Sequence, residues 1–255
     1  MYHEHERIVD YGECGVEARL KPGMILNYLQ DAATDHCFQM GISGIDLLPQ
    51  NLAWVIYRYH LAIRRYPGWK EQLFIKTWRY PAGNLYELRQ FKVRDSRGNI
   101  VITAKSAWIL TRLDKRKPVR LKSNLPERVM TGEQFPIEND FADLPEPIEA
   151  GEPRTFWVRL HDLDFNRHVN NSVYAIWAME SVPAQTLETC LPTEISILYQ
   201  GEALFGDRVT VFADPLAEGP HPAYLHTIYN TGKKSGPITR LLTRWAPIEA
   251  FGPSE

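Results

Sequence analysis

Residues 162–181 read DLDFNRHVNNSVYAIWAMES, a polar segment that runs into an apolar one. In the polar part, Asp164, Asn166 and His168 occupy every second position. Alternate side chains of an extended chain point to one face, so the pattern predicts that these three groups converge. An acid, an amide and an imidazole aimed at one point indicate a functional site. The competing interpretation is that Asp164 and Asn166 are turn and capping residues before a helix.

Helix-forming patterns occur in both halves of the chain. In the second half, Val173, Ile176 and Trp177 fall on one helical face, an asparagine caps the helix, and Pro183 ends it. In the first half, residues 22–41 (PGMILNYLQDAATDHCFQMG) show apolar positions at helical spacing. These positions are Ile25, Tyr28, Leu29, Ala32 and Ala33.

Strand-forming patterns follow each helix in the same order. Residues 53–78 correspond to residues 193–213, because each stretch has two β-rich runs around a break that contains glycine. Residues 84–114 then predict a hairpin that turns at RDSRGN, and residues 223–248 predict one that turns at NTGKKSGP. One helix followed by an antiparallel sheet, found twice, predicts a duplicated α+β unit.

A proline-rich segment separates the two copies. Residues 115–153 hold prolines at positions 118, 126, 136, 145, 147 and 153. Proline removes a backbone donor and fixes φ, so this stretch resists regular structure and is predicted to be a linker over the surface. The predicted organisation is a first domain at 1–125, a linker at 126–153 and a second domain at 154–255.

Composition limits the class of protein. The 255 residues are 44% hydrophobic with a formal net charge of -2, which is ordinary for a globular protein and argues against nucleic-acid binding. Cys14, Cys37 and Cys190 show no C-x-x-C spacing, which favours free thiols in a reducing, cytoplasmic setting. From the sequence we expect no signal peptide and no membrane span. The histidines show no metal-ligand spacing such as H-E-x-x-H, so we expect no metal and no cofactor.

Two segments together resemble the acyl-acyl carrier protein thioesterases of bacteria and plants. Residues 162–181 resemble the family signature D-x-N-x-H-V-x-N before a central helix, and residues 198–209 (LYQGEALFGDRV) resemble its second motif. Residues 26–36 and 53–69 are similar to the family's N-terminal half, so the resemblance covers nearly the whole chain. It implies a double (tandem) hot-dog fold, in which each of two long helices is wrapped by an antiparallel β-sheet.

The resemblance also implies an activity, a partner and a site. The activity is hydrolysis of the thioester between a fatty acyl chain and the phosphopantetheine arm of an acyl carrier protein. Carried over position by position, the catalytic residues are Asp164, Asn166, His168 and Glu202. Plant members commonly have a cysteine directly after this glutamate, whereas this chain has Ala203. A thiol nucleophile at that position is therefore excluded.

These residue types suit thioester hydrolysis. Glu202, expected on a strand among apolar neighbours, is a candidate general base for water or a direct nucleophile, and the sequence leaves both routes open. The amide and the imidazole can donate hydrogen bonds to the water or to the developing oxyanion, and Asp164 can fix their orientation. The backbone N–H groups near Asn170 and Asn171, at the helix start, are a second candidate oxyanion site for the substrate.

The first half lacks an equivalent polar set. Alignment of the two copies places the four catalytic positions near Gly15, Glu17, Arg19 and Tyr66. The second half is therefore predicted to carry the catalytic groups, and the first half to shape a substrate pocket with apolar walls for the acyl chain. The expected lining residues are Trp54, Tyr57 and Met24.

Other functions fit parts of the pattern. Hydrolysis of acyl-coenzyme A is the nearest alternative, since both substrates present the same pantetheine arm. A non-catalytic acyl-thioester-binding protein and a hot-dog dehydratase are further alternatives on the same fold. The basic run at residues 112–122 is by default a solvated surface, and alternatively it docks an acidic carrier protein. The duplication allows a monomer, and a homodimer is also compatible with the sequence.

Overall fold

The chain divides into two compact units. The computed structural model describes residues 2–131, 140–217, 219–232 and 236–252. The main boundary between the units falls between Phe141 and Ala142, and the short segments 22–24 and 60–64 group with the second unit. Among the described residues, no helix combines the length and the apolar character that crossing a membrane requires.

The first unit contains an antiparallel sheet whose strand order is β1-β3-β4-β5-β2, with β6 paired to β5. Its strands are β1 (Tyr2–Ile8), β2 (Leu52–Ile63), β3 (Gln72–Ala82), β4 (Tyr86–Asp95), β5 (Ile100–Arg112) and β6 (Lys117–Pro118). Its helices are α1 (Pro22–Gln39), α2 (Gly44–Leu47) and α3 (Glu127–Thr131). The predicted β4–β5 hairpin is confirmed, with Gly98 at a φ of 84° in its turn.

Helix α1 forms its apolar face as predicted. Pro22 is its first residue, where the missing N–H has no helical partner to lose. The five predicted core positions are all buried, namely Ile25, Tyr28, Leu29, Ala32 and Ala33. Gly41, with a φ of 68°, follows the C-cap Met40 and ends the helix.

The second unit repeats the plan with a different helix. Its strand order is β8-β11-β10-β9-β7. The strands are β7 (Arg154–Trp157), β8 (Cys190–Tyr199), β9 (Arg208–Pro215), β10 (Ala223–Asn230) and β11 (Thr239–Pro247), and the helices are α4 (Asn171–Glu180) and α5 (Ala184–Thr189). Helix α4 has 10 residues against 18 in α1, so it is shorter than the resemblance implies. Trp177 is buried as predicted, and it forms the buried face of the helix together with Tyr174 and Ala175. Ile176 lies outside this face and is 39% exposed.

The predicted linker is only partly free of the cores. Its first residues form α3, and Val129 packs with Leu121 and Leu125 in a hydrophobic cluster of the first unit. Pro136 and its neighbours at 132–139 lie outside the described residues. Residues 140–153 have no regular structure, and the N–H groups of residues 149, 150 and 151 donate to the buried carboxylate of Asp214 at 2.8–3.1 Å. The last part of this segment is therefore fixed to the second unit.

A buried histidine lies at the centre of the second sheet. His226 on β10 is fully buried, and its Nε2 lies 2.8 Å from Oγ1 of Thr243. Trp245 Nε1 donates to the same oxygen at 2.9 Å, which leaves the threonine proton for the imidazole. Burial lowers the pKa of His226 to about 3, and Asp214 opposes that shift. The folded protein therefore holds this imidazole neutral.

We expect His226 to make the folded state less stable in mild acid. Between about pH 6.5 and about pH 3 the unfolded chain protonates this imidazole and the folded chain does not. Its contribution is therefore complete above the unfolded pKa and is lost as the pH falls, by up to ~1.4 kcal/mol per pH unit. When the free energy of unfolding is measured with urea and plotted against pH across this range, the slope should be flatter for His226→Gln than for the wild type. The exposed control His221→Gln should keep the wild-type slope, and equal slopes in all three proteins would contradict the assignment.

Candidate active site

The segment before α4 is a closed turn. An isolated antiparallel bridge joins Leu163 to Val169, and the N–H of Asp164 donates to the carbonyl of His168 at 2.8 Å. Arg167 has a φ of 64° and donates its N–H to the Asp164 carbonyl at 3.0 Å. The chain is therefore not extended here, and the prediction that alternate side chains share one strand face is wrong. The polar residues are brought together by the turn itself.

The carboxylate of Asp164 stabilises the turn from within. It accepts the backbone N–H of Asn166 at 2.8 Å and that of His168 at 3.3 Å. The Asn166 side-chain amide also donates to it, at 3.3 Å. This is the turn interpretation of Asp164, and it is compatible with the functional one, because the carboxylate holds the Asn166 amide and the backbone of His168. Asn166 is exposed and His168 is half-buried.

Glu202 comes from a different segment and meets His168. It lies in the loop between β8 and β9, one residue after Gly201, so the prediction that it is on a strand is wrong. His168 Nε2 lies 3.6 Å from Glu202 Oε2, and the two side chains are 44% and 35% exposed. The structure thus connects all four predicted catalytic residues, Asn166 and His168 through Asp164 and Glu202 through His168.

Buried groups fix the loop that carries Glu202. The N–H of Val169 donates to the Ala203 carbonyl at 3.2 Å, which joins the turn to the loop. The N–H of Ala203 donates to the hydroxyl oxygen of Tyr174 at 3.0 Å. Farther along, the carboxylate of Asp207 accepts the N–H of Leu204 at 2.9 Å. The backbone on the C-terminal side of Glu202 is therefore held at three points.

Tyr174 was not predicted from the sequence. It is 3% exposed on α4, and burial raises the pKa of its phenol well above the ordinary value, with Glu202, Asp207 and Asp164 adding to the rise. The phenol is therefore protonated at neutral pH and accepts the Ala203 N–H as a neutral oxygen. An aromatic residue on an apolar helix face is ordinary core composition, so the sequence holds no signal that separates this tyrosine from its neighbours.

The two asparagines at the start of α4 have different positions. Asn170 is the N-cap, and its side-chain oxygen accepts the N–H of Ser172 at 3.1 Å. The N–H of Asn170 donates to the Asp162 carbonyl at 2.8 Å, so it is not available as an oxyanion donor. Asn171 is the first helical residue, a position whose N–H has no partner within the helix. Its role in substrate binding stays a prediction.

The first unit contains the same turn with other side chains. A bridge joins Cys14 to Leu20, the N–H of Gly15 donates to the Arg19 carbonyl at 2.8 Å, and Ala18 has a φ of 55°. The N–H of Leu20 donates to the Pro67 carbonyl at 2.8 Å, as that of Val169 does to Ala203. The predicted alignment of Asp164 with Gly15, His168 with Arg19 and Glu202 with Tyr66 is therefore confirmed. In this copy the arginine and the tyrosine are buried, and no acid–imidazole pair is formed at these positions.

The three residues expected to line a pocket lie in ordinary packing environments. Trp54 donates its Nε1–H to the Ile42 carbonyl at 2.9 Å and packs on a hydrophobic cluster of the first unit. Tyr57 lies beside Tyr86, with ring centroids 6.0 Å apart, and Met24 is half-buried in the first turn of α1. None of these contacts tests a role in acyl binding, which stays a prediction.

Solved structures share this architecture. The 12:0-ACP thioesterase from Umbellularia californica has a TM-score of 0.81 at 23% identity, over 96% of this chain and 94% of that one. An acyl-ACP thioesterase from Bacteroides thetaiotaomicron has a TM-score of 0.80 at 22% identity, over 96% of this chain and 98% of that one. These similarities confirm the predicted α+β hot-dog fold.

Family comparison then assigns the chain. The acyl-ACP thioesterase N-terminal domain matches residues 1–129, and the acyl-ACP thioesterase C-terminal domain matches residues 145–246. The chain belongs to the acyl-ACP thioesterase family.

Curated plant relatives are longer than this chain. The acyl-[acyl-carrier-protein] hydrolase FATB2 of Cuphea viscosissima, named as chloroplastic, is 27% identical over 256 residues, which cover 93% of this chain and 61% of the relative. The dodecanoyl-[acyl-carrier-protein] hydrolase of Cinnamomum camphora, also named as chloroplastic, is 28% identical over 244 residues, covering 88% of this chain and 62% of the relative. The chain thus spans less than two thirds of each relative.

We expect Tyr174→Phe to loosen the loop that carries Glu202. The substitution leaves the Ala203 N–H, on a fully buried residue, without its acceptor, which should lower the free energy of unfolding by ~1–3 kcal/mol. Hydrogen exchange should become faster at Ala203 and its neighbours. Tyr224→Phe is the matched control, because that buried hydroxyl bonds Thr186 at 2.7 Å instead. Unchanged exchange at Ala203 in Tyr174→Phe would show that the tyrosine does not fix the loop.

Proposed function

We propose that this protein hydrolyses the thioester of fatty acyl-acyl carrier protein and releases a free fatty acid. The observation that carries the proposal is the 3.6 Å approach of His168 Nε2 to Glu202 Oε2, on residues that match the two family motifs. Asp164 lies beside this pair, where its carboxylate accepts hydrogen bonds from the Asn166 side-chain amide and from the backbone N–H of His168. Membership of the acyl-ACP thioesterase family supports the same reaction and the same carrier.

In this proposal Glu202 is the general base. It accepts a proton from a water molecule while the water oxygen bonds to the thioester carbonyl carbon. The imidazole of His168 and the amide of Asn166 donate hydrogen bonds to the oxyanion that develops. Collapse of the tetrahedral intermediate breaks the C–S bond, and the proton held by Glu202 passes to the leaving thiolate. The products are a fatty acid and the free pantetheine thiol.

Two features favour water activated by Glu202 over a cysteine nucleophile. The Glu202 side chain is 35% exposed, so water can reach its carboxylate. Ala203 offers no thiol, and among the cysteines Cys37 belongs to the first unit, where Arg89 donates to its sulfur at 3.2 Å. Burial raises the pKa of the Cys37 thiol, which disfavours the reactive thiolate.

We expect Glu202→Ala to lower kcat by about 10²-fold or more, because the reaction loses its general base. The measurement is the release of free thiol from acyl carrier proteins that hold chains of graded length. Glu188→Ala removes an exposed carboxylate on α5 and should keep wild-type turnover.

Each alternative function gives a different result in this assay. Full turnover in Glu202→Ala would reject Glu202 as the base. Absence of turnover in the wild type, with retained acyl-thioester binding, would identify a binding protein. An enoyl thioester in place of a free thiol would identify a dehydratase. Faster hydrolysis of acyl-coenzyme A than of acyl-acyl carrier protein would assign the alternative substrate.

We further propose that the basic run at residues 112–122 docks the acidic carrier protein. It covers the end of β5, the turn that follows, the short strand β6 and the start of a 3₁₀ turn at Leu121–Ser123. Five of its cations are exposed at the surface of the first unit, namely Lys115, Arg116, Lys117, Arg120 and Lys122. A cluster of one sign raises the association rate of an oppositely charged partner.

We expect the double variant Lys115→Glu/Lys117→Glu to raise KM for acyl-acyl carrier protein several-fold at low salt. Hydrolysis of an acyl-pantetheine that lacks the carrier should be unchanged, because the charges act on the protein partner. Lys92→Glu/Arg97→Glu places the same charge change on other exposed residues of the first unit and is the control. Equal effects of the two double variants on KM would reject a local docking surface.

The setting of the protein is part of the proposal. A cytoplasmic location is supported by the three cysteines, which are all free in the structure. A role in fatty acid biosynthesis follows from the proposed substrate and partner. A homodimer, which the sequence allows, can be tested by light scattering of the purified protein.

A further inference from the structure

A second cluster of reactive side chains lies in the first unit. His3 and His5 occupy alternate positions of β1, so both face the same side of the strand. Asp35, near the end of α1, approaches them, with its Oδ2 at 2.9 Å from His5 Nδ1. One ligand atom from each of the three residues can be chosen so that all lie within 4.8 Å of one another. This cluster contains none of the residues of the candidate active site.

The two histidines have nitrogen atoms that the protein leaves without partners. The Nε2 atoms of His3 and His5 are buried, and in the described part of the chain neither has a hydrogen-bond partner. Buried polar atoms are nearly always paired, so two such atoms in one cluster need an explanation. A bound ion supplies one for His3, whose Nε2 is the free ligand atom, because coordination of one imidazole nitrogen fixes the ring and its protonation state. His5 faces Asp35 with Nδ1, so that atom is its ligand in this arrangement and its Nε2 carries the proton.

The distances suit a small transition-metal ion. Bonds from Zn²⁺ to imidazole nitrogen and carboxylate oxygen are about 2.0–2.2 Å, which places neighbouring ligand atoms roughly 3–3.5 Å apart. The His5–Asp35 distance of 2.9 Å is close to this value, and the widest separation of 4.8 Å has to shorten by about 1 Å or more. Asp35 can supply that movement, since its side chain is 51% exposed.

Carboxylates and cations both surround this place. Asp31 lies one helical turn before Asp35 on α1 and is within electrostatic reach of His5 and Asp35. Arg7, a cation on the same strand face, is paired with Glu13 at 3.4 Å and also acts on Asp31. A divalent ion between the histidines and Asp35 would therefore offset negative charge from two carboxylates.

His36 is close to the cluster but is not a ligand. Its ring stacks on that of His3 with centroids 5.9 Å apart. Arg89 Nη1 donates to His36 Nδ1 at 3.1 Å, so the proton of the neutral ring is on Nε2 and neither nitrogen has a free lone pair. The ligand set is therefore limited to two imidazoles and one carboxylate, which leaves coordination positions for water.

We propose that His3, His5 and Asp35 bind one divalent transition-metal ion of the Zn²⁺ class and thereby fasten β1 to α1. Imidazole nitrogen with carboxylate oxygen is a ligand set that Zn²⁺ and its neighbours prefer over Mg²⁺ or Ca²⁺. The site is structural in this proposal and takes no part in thioester hydrolysis. The H-x-H spacing is not a helical metal motif, so it becomes a pair of ligands only when both residues lie on a strand.

The test is Zn²⁺ titration of the full chain after treatment with a chelator and its removal, followed by calorimetry. We expect one ion per chain and a Tm that rises with Zn²⁺ concentration, because the ion binds the folded state. His3→Gln, His5→Gln and Asp35→Asn should each weaken binding by about tenfold or more. His221→Gln, which changes an exposed histidine of the second unit, should leave affinity unchanged.

The active-site pair is the main competing ligand set, so His168→Gln is included in the titration. Loss of the ion in His168→Gln with normal binding in His3→Gln would overturn the proposal, as would equal binding in all variants. No binding by the wild type would show that the His5–Asp35 contact is only a hydrogen bond. Asp35→Asn keeps the size of an exposed side chain, so it remains informative if a histidine variant fails to fold. None of these readouts depends on hydrolytic activity.

Discussion

The hydrogen bond from the N–H of Val169 to the Ala203 carbonyl joins the two segments that form the site. Val169 ends the turn that holds Asp164, Asn166 and His168, and Ala203 directly follows Glu202. The proposed catalytic imidazole and carboxylate are 34 positions apart in sequence, yet each is one residue from this bond. This backbone bond therefore brings the two side chains within reach of one another, and they approach to 3.6 Å.

The two units share the turn and its backbone hydrogen bond but differ in the side chains that the turn carries. The first unit makes the equivalent bond from Leu20 to Pro67 and closes the equivalent turn, but buries Arg19 and Tyr66 where the second unit has the imidazole and the carboxylate. A turn that forms around either set of side chains is not specified by the proposed catalytic residues. The side chains of the turn in the second unit are therefore the ones that indicate function. The turn in the first unit shows that the fold uses the same backbone contacts without those side chains.

Sequence patterns predicted the elements better than their connections. Helix α1, with its buried face, and the β4–β5 hairpin follow from apolar spacing and turn composition, which are local properties. Strands β1 and β7 were missed, because β1 alternates charged residues and histidines, and β7 has only four residues. The identities of Asp164, His168 and Glu202 could be proposed from motifs, but the turn geometry and the place of Glu202 in a loop could not. Those depend on positive φ at Arg167 and on hydrogen bonds between distant segments.

The site combines exposed reactive groups with buried supports. His168 and Glu202 are 44% and 35% exposed, whereas Val169, Tyr174 and Ala203 are at most 3% exposed. The proposed hydrolysis consumes water and needs the first property, and a fixed distance between Glu202 and the imidazole needs the second. A carboxylate placed deep in the core would gain rigidity but would lose its water and the solvation of its charge. Here the adjacent backbone amides hold the position of Glu202. Its carboxylate therefore stays in contact with solvent, while the backbone groups that hold it are buried.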